Sequence, residues 1–214
     1  NTFRHHYNEV DFIVTTFAMS AGTILVMSGD DLYMDYSATL GPIDPQLPRG
    51  DQMAVPALGY LRQFEQLIEK SRPGTLTSAE MAYLLQNFDP GELYQFEQAR
   101  DLSIALLKEW LVKYKFKKWR VTETTKKKVT IADKRSRAEE IARKLNDTDH
   151  LHSHSRGISM VVAIRDLKLK INDLDDTPEL KEALYVYHDL LQEYRFKLDH
   201  RYLSVDWVGG YHGH

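Results

Sequence analysis

Ser20 lies in the stretch Phe17-Ala-Met-Ser-Ala-Gly-Thr-Ile-Leu-Val26, between the β-branched run Phe12-Ile-Val-Thr-Thr16 and a second apolar run. A serine where a buried strand meets a short helix can serve two ends. As an N-cap, its hydroxyl accepts an N–H of the first turn, a contact worth about 1 kcal/mol. As a nucleophile, it attacks a carbonyl while the unpaired N–H groups and positive dipole end of the helix hold the oxyanion. Spacing alone leaves both readings open. The second needs a base, ordinarily His or Lys, and no histidine occurs between His6 and His150.

Two other groups of residues could do chemistry. His150, His152 and His154 alternate, with Asp147 and Asp149 nearby. On a strand the three imidazoles would share one face within reach of a metal ion; in a loop they would form a polar turn before Arg156-Gly-Ile158. With no cysteine and no second spaced ligand pair, the expectation is no metal and no cofactor, the three histidines standing as the only candidate ligands. Lys113-Tyr-Lys-Phe-Lys-Lys-Trp-Arg120 interleaves cations with aromatic rings in the manner of a single-strand binding patch. Its rings also continue the apolar stripe of the helix before it, and the formal charge of the chain is -3. Nucleic acid is therefore a disfavoured partner. No glycine-rich phosphate loop or dinucleotide fingerprint is present.

The elements that must position these residues follow from periodicity. Residues 1–8 read as the last turns of a helix, and residues 10–17 as one strand buried on both faces. Residues 20–28 form a short helix, residues 32–34 a second strand, and Thr39-Leu-Gly-Pro-Ile-Asp-Pro45 a loop with one short extended stretch, stiffened by its two prolines. From about Val55 the pattern is helical, broken at Arg72-Pro-Gly74 and Asp89-Pro-Gly91, with Thr77 or Ser78 as a cap. Residues 121–129 are polar and short of apolar anchors, which predicts a mobile linker. Beyond it, Thr130 caps a helix whose buried stripe is Ile131, Ala138, Ile141, Ala142 and Leu145. Thr177-Pro178 opens the last helix, with Leu180, Leu184, Tyr187, Leu191 and Tyr194 as its inner face.

Composition sets the outer limits. A chain of 214 residues that is 43% hydrophobic and 28% charged can bury a full core. Its apolar runs fall well short of the roughly 20 residues of a membrane helix, so no membrane segment is expected. The absence of cysteine fits a reducing compartment and predicts a cytoplasmic location.

The segment Ala18-Met-Ser-Ala-Gly22 together with Leu40-Gly-Pro-Ile-Asp-Pro-Gln46 resembles the active-site region of the Clp protease/crotonase superfamily. Within it the chain is most similar to the serine dehydrogenase proteinase family, relatives of signal peptide peptidase A. Ser153-His-Ser-Arg-Gly-Ile158 resembles a C-terminal motif of some members. The resemblance implies an α/β fold: a Clp protease/crotonase-like core, partial at the N-terminus, with a helical C-terminal extension. The expected division is a core at residues 1–120, a linker at 121–129, a helical module at 130–205 and a flexible tail at 206–214. The early strand units and the glycine-rich turn that supplies a second oxyanion donor have no counterpart here, so the chain reads as the C-terminal part of a longer protein.

The same resemblance implies an ATP-independent serine peptidase acting by acyl transfer on a peptide or protein substrate, assembled as a homo-oligomer. Ser20 is then the nucleophile and the Ala21 N–H an oxyanion donor. The histidine position of the Clp branch falls at Asp44, where a carboxylate with an ordinary pKa of about 4 could orient a base or take an acid/base role. The signal peptide peptidase branch uses a downstream lysine, and the first lysine after Ser20 is Lys70. The rival reading keeps the crotonase fold as a binding or scaffold protein without catalysis, since fold does not fix function.

Overall fold

The computed structural model describes residues 2–47, 55–146, 157–199, 203–205 and 211–213. Helix α1 (Thr2–His6) leads into strand β1 (Phe12–Val14), and after a break at Thr15 and Thr16 the chain extends again as β2 (Phe17–Ala18). The single strand expected over residues 10–17 is thus two, which lie in different sheets. Helix α2 (Ala21–Val26) carries the chain back to β3 (Leu32–Met34), which pairs in parallel with β1, Phe12 opposite Leu32 and Val14 opposite Met34. Strand β4 (Thr39–Leu40) then pairs in parallel with β2. The path is a spiral: each turn lays one strand in each of two small sheets, with the helix as the crossover that parallel strands require.

After the short antiparallel pair β5 (Gln46–Leu47) and β6 (Val55–Pro56) come three helices, α3 (Ala57–Ser71), α4 (Ser78–Asn87) and α5 (Pro90–Trp110). Local chemistry fixes their starts. Thr77 and Glu80 form a reciprocal capping box on α4, and Asp89 accepts the Gly91 and Glu92 N–H groups ahead of Pro90 on α5. Helix α5 ends in a π turn, Leu111–Lys115, closed by the Phe116 N–H on the Leu111 carbonyl at 2.8 Å. Helix α6 (Ile131–Leu145) has a second capping box, Thr130 with Asp133. Strand β7 (Ile158–Ser159), helix α7 (Met160–Asp166), strand β8 (Asn172–Asp173), a 3-10 turn at Leu174–Asp176 and helix α8 (Pro178–Lys197) follow, and β9 (Leu203–Val205) pairs antiparallel with β10 (Tyr211–Gly213).

The fold is mixed α/β. One apolar cluster holds the site end together: Met27, Leu32, Met34, Leu40 and Ile43 pack with Leu107 and Leu111 of α5, Ile141 and Leu145 of α6, and Ile158 and Ala163 beyond. Residues on both sides of the expected linker share this core. Strand β7 adds antiparallel to β4, and β8 adds parallel to β3, so the expected helical module contributes strands to both sheets. Residues 121–129 are folded as well. Val121 bridges Lys128, the Thr122 N–H donates to the Lys127 carbonyl at 2.9 Å, and Val129 is buried. A polar run can be ordered by its own turn hydrogen bonds, which an apolar count does not register. Residues 211–213, expected in a flexible tail, form β10.

Helix α8 docks through polar groups. Asp35, at the carboxyl end of β3 with its side chain 2% exposed, accepts the Ser37 N–H and Ser37 hydroxyl at 2.8 Å and the Ala38 N–H at 3.0 Å on one oxygen. Its other oxygen meets the Tyr185 hydroxyl at 2.7 Å and the Lys181 ammonium at 3.1 Å. The Tyr185 hydroxyl also lies 2.9 Å from the Thr15 carbonyl. This network sets the rotation of α8. Its half-buried face runs through Lys181, Leu184, Tyr185, His188 and Leu191, while Leu180, Tyr187 and Tyr194, expected inside, are exposed. Likewise Ile131, expected in the buried stripe of α6, is 56% exposed, whereas Ala138, Ile141, Ala142 and Leu145 are buried as expected.

Burial by itself would raise the Asp35 pKa; the hydrogen bonds from Tyr185, Ser37 and Lys181 outweigh it and hold the carboxyl far below the ordinary range. A depressed folded pKa contributes stability that is complete above the unfolded value of about 4 and is lost as pH falls from there toward the folded value. Asp35→Asn is expected to lower the unfolding free energy at neutral pH by about 2 kcal/mol, because Tyr185 and Ser37 lose a charged acceptor while Lys181 keeps its pair with Asp175. Urea titrations of wild type and variant at pH 7 and pH 3 check this: the gap between the two proteins should narrow at the lower pH.

Candidate active site

Ser20 sits in the sharp turn from β2 into α2 with φ 49° and ψ -114°. Only glycine adopts such a backbone freely, and for another residue it costs about 1 to 3 kcal/mol. The expected capping bond is not made: the Ser20 side chain accepts no N–H from α2. Its hydroxyl points instead across to the next strand's loop, donating to the Asp44 carbonyl over 3.4 Å, longer than an ordinary O–H···O bond. The residue is half-buried, so the hydroxyl is held loosely at the edge of the core.

The turn is kept in this shape by the segment after β4. The Ser20 N–H donates to the Pro42 carbonyl at 3.2 Å, and the Gly41 N–H to the Ala18 carbonyl at 2.9 Å. The wholly buried Thr23 hydroxyl lies 2.6 Å from the Ala18 carbonyl and accepts the Gly41 N–H at 3.1 Å. A Cβ on Gly41 would come within 2.3 Å of the Met19 sulfur and 3.1 Å of the Met19 Cα, so only glycine lets the two segments lie this close. Thr23 is a site residue that sequence reasoning passed over, and Gly41 and Pro42, present in the resembling loop motif, were given no role there; the contacts that reveal these roles run between segments.

The N–H groups at the head of α2 are already sorted. That of Gly22 is tied to the Met19 carbonyl at 2.8 Å and that of Ser20 to Pro42, while the Ala21 N–H has no partner among the described residues. Asp44 is wholly buried, and its carboxylate accepts the Leu58 N–H at 3.0 Å in the first turn of α3. It is the Asp44 main chain, and not its carboxylate, that hydrogen-bonds to Ser20. Lys70 occupies the far end of α3, where its side chain is 57% exposed and its ammonium pairs with Glu80 at 2.7 Å. That pairing and the capping bonds from Thr77 bring the Glu80 pKa down to about 2. No lysine or histidine is hydrogen-bonded to Ser20 among the described residues.

With this turn in view, the comparisons with known proteins point one way. Residues 1–87 match the ClpP-like SDH-type serine proteinase family. The matched span contains Ser20, Gly41 and Asp44 and ends within α4. Two relatives, both uncharacterised proteins of Methanocaldococcus jannaschii, are similar to the chain. One is 36% identical over 106 residues, covering 46% of this chain and 35% of its own length; the other is 28% identical over 79 residues, covering 37% and 25%. The chain thus spans about a third of the first relative and a quarter of the second. No solved structure matches it.

The remaining sequence candidates fall elsewhere. His150, His152 and His154 lie outside the described residues. In the basic aromatic stretch, Arg4 covers the Tyr114 ring at 4.2 Å, Phe116 and Trp119 pack on each other at 5.5 Å, and Lys118 pairs with Glu9 at 2.9 Å. Burial brings Lys115 down to about 8. The three rings and Lys118 are engaged within the fold, while Lys113, Lys117 and Arg120 of the same stretch are exposed. No helix among the described residues is long and apolar enough to cross a membrane.

If the Ser20 turn stores backbone strain, glycine should relieve it and alanine should not. Ser20→Gly is expected to be more stable than Ser20→Ala by about 1 kcal/mol, strain relief outweighing the greater entropy that glycine loses on folding. Parallel thermal melts decide it, and an alanine variant that melts at or above the glycine one contradicts the strained turn.

Proposed function

We propose that this chain carries the nucleophile segment of a serine peptidase with a crotonase-like core, and that Ser20 is the residue that is acylated. The observation that carries this reading is the strained, uncapped Ser20 at the strand-to-helix turn inside the span matched by the serine proteinase family. A cap would not need φ 49°, since ordinary N-caps sit in the extended region. A nucleophile at such a turn presents its oxygen clear of the helix, as the serine of a nucleophile elbow does. The two-sheet spiral of β1–β4, with parallel pairing in both sheets, supports the crotonase-like core.

In this reading the Ser20 oxygen attacks the scissile amide carbon and the Ala21 N–H donates to the oxygen that becomes negative. A general base takes the Ser20 hydroxyl proton as the C–O bond forms and passes it to the amine as the C–N bond breaks; it then takes a proton from water, whose attack on the acyl-serine releases the acid and returns the proton to Ser20. The substrate class is a peptide or protein, and the active species is a homo-oligomer in a reducing, cytoplasmic setting. Lys70 has no part in the proposal, because its ammonium is engaged by Glu80 at the opposite end of α3 from the Asp44 cap.

A fluorophosphonate probe tests the nucleophile on the full-length protein. Labelling is expected on wild type and Lys70→Ala alike, and on Ser20→Ala not at all. Wild-type protein without a Ser20-dependent label would leave a crotonase-fold binding protein as the reading, and loss of label in Lys70→Ala would reinstate that lysine as the base.

A further inference from the structure

The exposed apolar stripe of α8 takes no part in either apolar core cluster or in the proposed chemistry. Leu180, Ala183, Tyr187, Leu190 and Tyr194 follow one another at alternating spacings of three and four along a 20-residue helix, and all five are exposed. Tyr187 and Leu190, at its middle, are 52% and 58% exposed. Such spacing is the seam by which one helix packs on another. The Asp35 network consumes the neighbouring face of the helix, so the stripe is turned away from its own core.

We infer that this stripe is a self-association surface, on which α8 of a second copy of this chain packs antiparallel about a two-fold axis between His188 and Asp189. The stripe is complementary to itself under that operation. Tyr187 faces the partner's Leu190, and Ala183, the smallest residue of the seam, faces the partner's Tyr194, the small-against-large match that close packing requires. The charges agree as well. Glu179 and Lys197 lie on the same flank of the stripe at opposite ends of the helix, so the two-fold brings Glu179 of each chain beside the partner's Lys197. Glu179 makes no ion pair among the described residues, and Lys197 is held only by the exposed Glu193, one turn away. In parallel alignment the two-fold would put this flank of each helix on opposite sides of the seam, so Glu179 and Lys197 would not meet across it, and the charge match belongs to the antiparallel pair alone.

A helix of this length spans about 30 Å, and one such pair reaches only the lower bound of specific interfaces, roughly 1,000 Å². The association is therefore expected to be reversible and concentration-dependent, and it is independent of whether Ser20 acylates.

Sedimentation equilibrium of the chain over a concentration series tests it. The expected species at high concentration has twice the 24.9 kDa mass of one chain. Tyr187→Glu is expected to weaken the dimer by at least about tenfold in dissociation constant, a loss of one hydrophobic seam contact. Far-UV circular dichroism confirms that the variant keeps its helices. Glu179→Lys and Lys197→Glu are each expected to weaken it by about threefold to tenfold, and the two together to restore it, because only a self-pairing two-fold interface regains its charge match when both are reversed. A monomer at every concentration overturns the inference, as does a dimer indifferent to Tyr187→Glu or one that the double reversal does not rescue.

Discussion

The close approach of Ala18–Ser20 to Gly41–Pro42 is the constraint on which the rest of the site end depends. Two N–H···O bonds and the buried Thr23 hydroxyl hold these segments together. Each neutral hydrogen bond is worth about 1 kcal/mol net, so the three together are of the same order as the strain at Ser20. The strained turn is therefore affordable only while the second strand unit is in place. Ile43, just beyond, donates its N–H to the Leu145 carbonyl at 3.2 Å, which ties the same loop to the end of α6. The geometry of Ser20 thus draws on residues far along the chain, and the core spans both halves of the sequence for that reason.

Much of this was legible beforehand. Helix starts are local chemistry, and Thr77 and Thr130 cap as expected; Asp89 caps where the sequence pattern shows only a break, and Thr177 makes no side-chain cap bond on α8 although Pro178 opens it. The crossover from β1 through α2 to β3 follows from alternation of β-branched and helical runs, and Ser20 stood out by its position between them. The break at Thr15 and Thr16 did not, because five β-branched or aromatic residues in a row give no sign that the strand ends before the last pair and that the chain changes sheets after it. Distance along the chain hid the base question too: Lys70 was the first lysine in order, but α3 carries it away from Ser20 and Thr77-x-x-Glu80 places a carboxylate beside it.

The rotation of α8 shows the same limit from the other side. Apolar periodicity names Leu180, Leu184, Tyr187, Leu191 and Tyr194 as the inward face, of which only Leu184 and Leu191 are half-buried, and the physics behind that rule assumes that burial of apolar area decides a helix's orientation. Here a wholly different term decides it. Asp35 is buried at the end of β3, and a carboxylate with so little exposure needs its donors: Ser37 and Ala38 supply the near side, Lys181 and Tyr185 the far side. Leaving it unmatched would cost several kcal/mol, more than the exposure of one or two half-buried side chains of α8. The polar contact wins, and the apolar stripe is left facing outward.

That outcome links the last helix to the nucleophile turn. The Tyr185 hydroxyl reaches both Asp35 and the Thr15 carbonyl, and Thr16 in turn accepts the Thr39 N–H at 2.9 Å. The strand break at Thr15–Thr16, which lets β2 leave the sheet of β1 and run to Ser20, is therefore clamped from one side by α8 and from the other by β4. A helix that docks by hydrogen bonds at one carbonyl fixes position more sharply than one resting on an apolar face, because the bonds are directional and a slide along the core breaks them. The structure uses directional contacts where the chain must enter the site at a set angle, the Ile43 N–H on the end of α6 among them, and backs these with the nondirectional apolar packing of α5 and α6.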